Sequence, residues 1–234
     1  MKKLFVLGLL VALASAVYAL PTVFGPTGGF YVPSTGIQSG VALCVSENLD
    51  GGHNIPLTQL NWGVLPNLEV GVGYLDEGYF NSNEYTTWGV NAKYVLPFSI
   101  AKGKLAIAAV YNEENYPNGI INEEHGLLIG SWPVFGASTF TAAADFMAGD
   151  AGKDTAYLFG LTKDFKNGSV LGLEYYFNMN TSYIFDGVAY GSEDFGTAYI
   201  SFPINEMLSG RVALTDIGDS KDGTSMFASV GAKF

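Results

Sequence analysis

Short turns and long polar loops alternate along this chain of 234 residues, and the stretches between them have the alternating pattern of β-strands. The short turns recur every 31 to 38 residues, an interval that indicates a repeated supersecondary unit. They are centred on Leu65–Asn67, Leu96–Phe98, Trp132–Val134, Phe165–Gly168 and Phe202–Asn205. The sequence therefore predicts a series of antiparallel hairpins.

Twelve strands fit between these turns and loops. Most have lengths near the ~9–11 residues that a tilted strand needs to cross a bilayer. The predicted strands are residues 37–46, 55–65, 68–76, 84–96, 104–112, 123–132, 137–148, 154–164, 169–179, 193–202, 207–216 and 224–234.

The predicted strands have two different faces. Trp88 and Val90 share one parity with other apolar side chains, whereas Lys93 has the opposite parity among glycines and small polar residues. Two strands, 123–132 and 154–164, are apolar at both parities. A soluble β-sandwich also alternates, so the period alone does not decide between a sandwich and a barrel.

Three further features favour a membrane barrel over a sandwich. The strand number is even and short turns alternate with long loops, as in bacterial transmembrane barrels. Small polar residues on the inward parity suit a lumen, and aromatic residues near the short turns suit an interfacial girdle. These aromatic residues are Trp62, Tyr94, Phe98, Trp132, Phe165, Phe202 and Phe234. We therefore predict an all-β fold, a transmembrane antiparallel up-and-down β-barrel of about 12 strands over residues 37–234.

Residues 1–19 have the pattern of a cleaved secretory signal peptide. Two lysines precede an apolar run, and small residues follow up to Ala19, after which we predict cleavage. Residues 20–36 are rich in proline and glycine. We expect this segment to lie in the periplasm under the barrel or to enter the barrel as a plug.

The last strand, Met226–Phe234, resembles the carboxy-terminal assembly signal of bacterial outer-membrane proteins. In that family the chain ends on an aromatic residue, usually Phe, that closes an alternating strand; here that residue is Phe234. The resemblance implies export to the bacterial outer membrane, recognition by the barrel-assembly machinery and contact with outer-membrane lipid.

Two stretches near the start, Gly25–Thr35 and Leu60–Val72, resemble YjbH-type exopolysaccharide-linked barrels. Those proteins are much longer, and no lipobox cysteine stands at the predicted cleavage site here. The resemblance implies a link to exported polysaccharide.

Acidic residues outnumber basic ones, with 22 Asp and Glu against 11 Lys and Arg. Phosphate binding needs basic residues, so a nucleic-acid partner is not predicted. Most of the acids fall in or beside the long loops, which face outside if both ends of the barrel are periplasmic. They include Asp50, Asp76, Glu77, Glu113, Glu114, Glu123, Glu124, Asp186, Glu193, Asp194, Asp219 and Asp222. These loops can be a solvated surface, a vestibule that concentrates cations, or a place where divalent cations bridge carboxylates.

Polar and charged residues of the inward parity are the candidate pore-lining residues. They are Gln59, Asn61, Glu69, Asn91, Lys93, Asp145, Glu174 and Arg211. Eight-stranded barrels have filled interiors and barrels of sixteen or more strands have open ones, so twelve lies between. The same side chains could instead form structural ion pairs across a blocked lumen.

No catalytic, cofactor or metal site is predicted. His125 and Ser131 share a strand parity but are about 20 Å apart at ~3.3 Å per residue, too far for a nucleophile and its base. His53 lies near Asp50 without a supporting motif, and Cys44 is the single cysteine. We predict a non-enzymatic narrow passive pore for small hydrophilic solutes or ions, mildly cation-preferring. The alternative is a non-conducting structural or surface-interaction barrel, linked to exopolysaccharide export.

Overall fold

The computed structural model describes the chain from residue 20 to residue 234, with gaps. The described residues are 20–22, 25–29, 32–49, 57–80, 83–116, 119–150, 152–178, 183–185, 188–190, 194–217 and 224–234. The predicted signal peptide, His53 and several loop carboxylates (Asp50, Asp186, Glu193, Asp219 and Asp222) lie outside them.

Twelve strands close into one barrel, which confirms the predicted fold class and strand number. The barrel strands are β3 (Val41–Asn48), β4 (Leu57–Leu65), β5 (Leu68–Phe80), β6 (Asn83–Ile100), β7 (Gly103–Tyr116), β8 (Gly119–Pro133), β9 (Ser138–Gly149), β10 (Gly152–Asp164), β11 (Val170–Asn178), β14 (Phe195–Pro203), β15 (Leu208–Ile217) and β16 (Ser225–Lys233). Two short hairpins stand outside the barrel wall: β1 (Leu20–Pro21) with β2 (Thr27–Gly28), and β12 (Tyr183–Phe185) with β13 (Val188–Tyr190).

Each barrel strand pairs antiparallel with the next barrel strand along the chain, and the last strand closes onto the first. At this seam β16 pairs with β3, with Ser229 opposite Ser46 and Lys233 opposite Ala42. The hydroxyl of Ser46 donates a hydrogen bond of 2.8 Å to Ser229 Oγ. Closure leaves no sheet edge, so backbone groups are paired within the wall, as a lipid environment requires.

Several hairpins extend further than the sequence predicts. The predicted loop over residues 112–122 is mostly strand, because β7 continues to Tyr116 and β8 begins at Gly119. Polar side chains bond across this extension: the hydroxyl of Tyr111 donates to Asn122 Oδ1 at 2.6 Å. Such cross-strand pairs stabilise a ladder of residues that have low strand propensity.

The second short turn lies four residues later than predicted. We expected it at Leu96–Phe98, but β6 continues to Ile100 and the turn is Ala101–Lys102, with φ of 50° and 67°. Positive φ at both central residues is typical of the tight type I′ hairpin turn. Pro97 stays in the strand because the register shifts between Val95 and Ser99, and such an irregularity removes the need for an N–H donor.

The outward face of the barrel is apolar. Large hydrophobic side chains on this face are more than a third exposed, as expected if lipid rather than water surrounds them. They include Leu60, Trp62, Val72, Tyr94, Ile107, Leu128, Phe146, Phe159, Leu173, Tyr175, Ile200 and Val230. Of the predicted girdle residues, all but Trp132 belong to this exposed set. No helix in the described residues is long and apolar enough to span a bilayer.

Candidate functional site: the lumen of the barrel

All eight candidate pore-lining residues are buried on the inside of the barrel. Glu69, Lys93, Asn61 and Asp145 have no exposed surface. The others, Gln59, Asn91, Glu174 and Arg211, are at most 7% exposed. Burial this complete means that something other than bulk water occupies their part of the lumen.

The occupant is the start of the described chain. We call the described residues 20–22, 25–29 and 32–40 the lumenal segment. Leu20 lies against Gly231 and Gly40 lies against Phe234, so both ends of the segment are at the short-turn end of the barrel. Between them the chain folds back on itself, with Leu20 opposite Gly28 in a two-stranded pair. The segment is therefore a loop inserted from the short-turn end.

Side chains of β4 and β5 hold one side of this loop through its backbone. Gln59 Nε2 donates to the carbonyl of Thr22 at 2.7 Å, and Asn61 Nδ2 donates to the carbonyl of Gly25 at 2.6 Å. Glu69 Oε2 accepts a hydrogen bond of 2.7 Å from the backbone N–H of Gln38. Each contact satisfies a backbone group that the insertion takes out of water.

Arg211 also holds the loop, from β15, which β16 and β3 separate from β4. Its guanidinium donates to the carbonyls of Pro21 at 3.1 Å, Gly29 at 2.7 Å and Gly28 at 3.3 Å. Nε donates to Ser201 Oγ at 3.0 Å, which fixes the plane of the fork. All three nitrogens of the guanidinium therefore donate hydrogen bonds to the protein. The charged group holds the lumenal segment and is not available to bind a solute.

Glu69 also forms a buried ion pair with Lys93. Lys93 Nζ is 3.6 Å from Glu69 Oε1, and neither side chain has exposed surface. Asn61 donates a second hydrogen bond, of 3.1 Å, to the same carboxylate oxygen. The Glu69 carboxylate therefore pairs with Lys93 and accepts hydrogen bonds from Asn61 and from the backbone of the lumenal segment. These interactions compensate for the free-energy cost of burying its charge.

Asp145 takes part in a separate cluster nearer the long loops. Its carboxylate is 2.9 Å from Nδ1 of His125, and Glu123 is 3.1 Å from Nε2 of the same ring. Ser131 is not part of this cluster. Its hydroxyl bonds Thr141 at 3.0 Å and accepts from the backbone N–H of Thr35 at 3.2 Å.

The wall formed by β7 to β10 meets the lumenal segment with apolar side chains. Val32 packs into a buried cluster on this wall, made of Ala106, Ala108, Val110, Leu127, Ile129, Ala143 and Leu158. This contact explains why the strands predicted at 123–132 and 154–164 are apolar at both parities. Their inward residues face Val32, and their outward residues belong to the apolar outer face of the barrel.

A cavity of about 270 Å³ remains between the lumenal segment and the strands from β8 to β15. Asp164 lies at its short-turn end, and Glu174 lies deeper, opposite Gly160 in the neighbouring strand. The four residues from Gly160 to Asp164 correspond to roughly 13 Å along the strand. Asp164 is not among the predicted pore-lining residues, although it has the strand parity of Gly160 and Thr162, which indicates an inward position.

The described residues contain no group of three or more His, Cys, Asp or Glu that could hold a metal ion. Of the loop acids, Glu113, Glu114, Glu123, Glu124 and Asp194 are described, and the side chains of Asp76 and Glu77 are not. Divalent-cation bridging at the outer loops stays a prediction.

No protein-family model matches this chain, and no curated protein matches it. Among solved structures, the KdgM porin matches with a TM-score of 0.63 at 11% identity, over 83% of this chain and 98% of the porin. The same porin in complex with disordered oligogalacturonate matches with a TM-score of 0.62 at 12% identity, over the same shares. Omp33 of Acinetobacter baumannii gives 0.53 at 12% identity, over 85% of this chain and 100% of Omp33. The chain therefore has the fold of bacterial outer-membrane barrels.

Proposed function

We propose that this protein is an outer-membrane, porin-like barrel that acts as a narrow passive pore for small hydrophilic solutes or ions, with a mild cation preference. The observation that carries the proposal is the cavity beside the lumenal segment. It leaves open space beside hydroxyl and charged side chains inside a barrel whose outer face is apolar. The likeness to the KdgM porin supports a porin-like role, and the likeness to the outer membrane protein Omp33 supports the location.

The proposed location follows from the same features. A cleaved signal peptide over residues 1–19 would direct export, and Phe234 would serve as the assembly signal for the barrel-assembly machinery. Lipid of the outer membrane would then cover the apolar face described above. In this account the long loops face the outside, and the short turns and the opening for the lumenal segment face the periplasm.

The cation preference rests on the distribution of charge. The long-loop end carries Glu113, Glu114, Glu123 and Glu124, and Lys153 is the sole basic residue that the described part of the chain places there. The cavity is lined by the carboxylates of Asp164 and Glu174 and by one guanidinium, that of Arg211, which donates to backbone carbonyls. An excess of carboxylates along the lumen raises the local concentration of cations.

The experiment is a reversal-potential measurement across a potassium chloride gradient with refolded mature protein in a planar bilayer. We expect discrete conductance steps and a reversal potential of the cation-selective sign. The double variant Asp164→Asn, Glu174→Gln should move the reversal potential towards zero. Asp154→Asn, the same change at the long-loop end of β10, is the matched control and should shift it less. An unchanged selectivity in the double variant would remove both carboxylates from the pore.

A non-conducting barrel is the second candidate, and one observation favours it. The lumenal segment and the Val32 cluster occupy much of the lumen with buried contacts. Absence of current from protein shown to be folded and inserted would select this candidate, and surface partners, including exported polysaccharide, would then be tested.

A further inference from the structure

The side chains that line the cavity beside the lumenal segment include hydroxyl groups, and each hydroxyl can both donate and accept hydrogen bonds. Six of these groups come from Thr35, Ser131, Thr139, Thr141, Thr162 and Ser201. Each hydroxyl has one donor and two acceptor positions, and their internal bonds use only part of that capacity. Ser201 accepts from Arg211 and keeps its own O–H, whereas Thr162 donates to the Thr139 carbonyl at 3.4 Å and keeps its lone pairs.

Two carboxylates, those of Asp164 and Glu174, and one guanidinium, that of Arg211, line the cavity. Arg211 and Glu174 approach the lumenal segment at the same place, Gly29, where the close contact of the Glu174 carboxylate leaves no room for a β-carbon. Asp164 lies apart from them at the short-turn end. It is exposed, and none of the ion pairs among the described residues includes it. Asp164 therefore places a negative charge at the opening of the cavity.

Size limits what such a cavity can hold. Its volume of about 270 Å³ is just below the range of ~300–1,000 Å³ for ligand pockets, so it suits a single small ring rather than a chain of rings. Val32 and Gly160 contribute apolar atoms to the lining, against which ring C–H groups can pack.

We propose that this cavity is a binding site for one polyhydroxylated, sugar-sized ring that carries an amino group and enters from the short-turn end. The ring hydroxyls bond the threonine and serine side chains, and the ammonium group faces Asp164. The site deepens the proposed function, because a solute held there would occupy the path beside the lumenal segment. Binding can nevertheless be measured without conduction, so the two proposals fail separately.

The test uses refolded mature protein in detergent micelles, with glucosamine and glucose as probes. Saturation-transfer NMR detects contact, and calorimetric titration gives the dissociation constant. We expect glucosamine to bind with a dissociation constant in the range of about 1–10 mM, and glucose to bind three- to fivefold more weakly, as suits one partly exposed charge pair.

Paired variants locate the site. Asp164→Asn should weaken glucosamine binding to about the level of glucose and leave glucose binding unchanged. Asp154→Asn, on the same strand and parity but roughly 33 Å away, should change neither. Thr162→Val should weaken both probes, and Thr155→Val, on the outward parity of the same strand, should weaken neither. Circular dichroism of each variant verifies that the barrel has formed.

Two results would overturn the inference. Folded protein that binds neither probe would exclude the site, even if the barrel conducts. Equal binding of glucose and glucosamine, unchanged in Asp164→Asn, would exclude the amino-group preference and the role of Asp164. Binding by a barrel that carries no current would instead refute the pore and leave the site in place.

Discussion

Two walls of the same lumen hold the lumenal segment by different chemistry. On β4, β5 and β15, side-chain donors and one acceptor bond its backbone, and Gln59, Asn61, Glu69 and Arg211 do this over distances of 2.6 to 3.3 Å. We call these strands the bonding wall. On β7 to β10, which we call the smooth wall, the main contact is Val32 against small and aliphatic side chains.

The difference between the two walls explains how the lumenal segment can lie inside a twelve-stranded barrel and still leave a cavity beside it. Hydrogen bonds to backbone carbonyls fix the segment to one side, at positions set by strand register. On the smooth wall the segment packs through Val32 and donates the Thr35 N–H to Ser131 Oγ, and a gap persists beyond Val32, between the segment and the strands from β8 to β15. Two partial contacts, rather than one tight plug, leave the cavity described above.

The largest expected effect comes from removing the segment. Deletion of residues 20–36 from the mature chain should raise single-channel conductance severalfold, because the occupied cross-section then fills with water. A variant in which these residues are replaced by the same number of glycines and serines keeps the connection but loses the contacts. It should also conduct more than the wild type. Equal conductance in all three proteins would show that the segment does not limit the path.

Loss of a charge at the bonding wall should lower the free energy of unfolding more than loss of an apolar contact at the smooth wall. Glu69→Gln removes the charge that faces buried Lys93, and breaking a buried pair typically costs about 3–5 kcal/mol. The free energy of unfolding in urea, measured in micelles, checks this. The double variant Glu69→Gln, Lys93→Met should recover part of the loss, since no unpaired charge stays buried. A loss below about 1 kcal/mol in Glu69→Gln would contradict the buried pair.

Weakening the apolar contact between the lumenal segment and the smooth wall should have a smaller effect on stability. Val32→Ala removes two methyl groups from a buried cluster, and we expect the free energy of unfolding to fall by about 1–2 kcal/mol. Conductance should change little, because the bonding wall still holds the segment. If Val32→Ala proves more destabilising than Glu69→Gln, the assignment of the two walls is wrong.

The barrel could be predicted from the sequence because its signal is local and periodic. Alternation in a strand such as Leu68–Phe80 places Glu69 inside and its neighbours Leu68 and Val70 outside from their order alone. Turn positions are less certain from this signal, as Pro97 shows: a proline normally ends a strand, but here an irregular register keeps it within one.

The contacts of the lumenal segment have no such local signal. Arg211 bonds the carbonyl of Pro21 across a sequence separation of 190 residues, and a carbonyl acceptor has the same chemistry in any residue. The sequence predicted that residue 211 faces inward without indicating what it meets. It left residues 20–36 with two alternatives, a periplasmic position or a plug, because proline- and glycine-rich composition suits both.

The proposed pore requires that the lumenal segment stays in the lumen while ions pass, and a reversible crosslink can test this requirement. A β-carbon on Gly160 would lie 3.5 Å from Cβ of Val32, which fits the ~3.5–4.5 Å of a disulfide. The crosslinked protein is Val32→Cys, Gly160→Cys in a Cys44→Ser background, with Val32→Cys, Cys44→Ser as its control.

Single-channel current is recorded before and after reduction. We expect the disulfide to form and the oxidised protein to conduct as the reduced protein and the control do. A crosslinked barrel that is silent and conducts only after reduction would show that the segment must leave for conduction. Failure of the two cysteines to form a disulfide in folded protein would contradict the docked position itself.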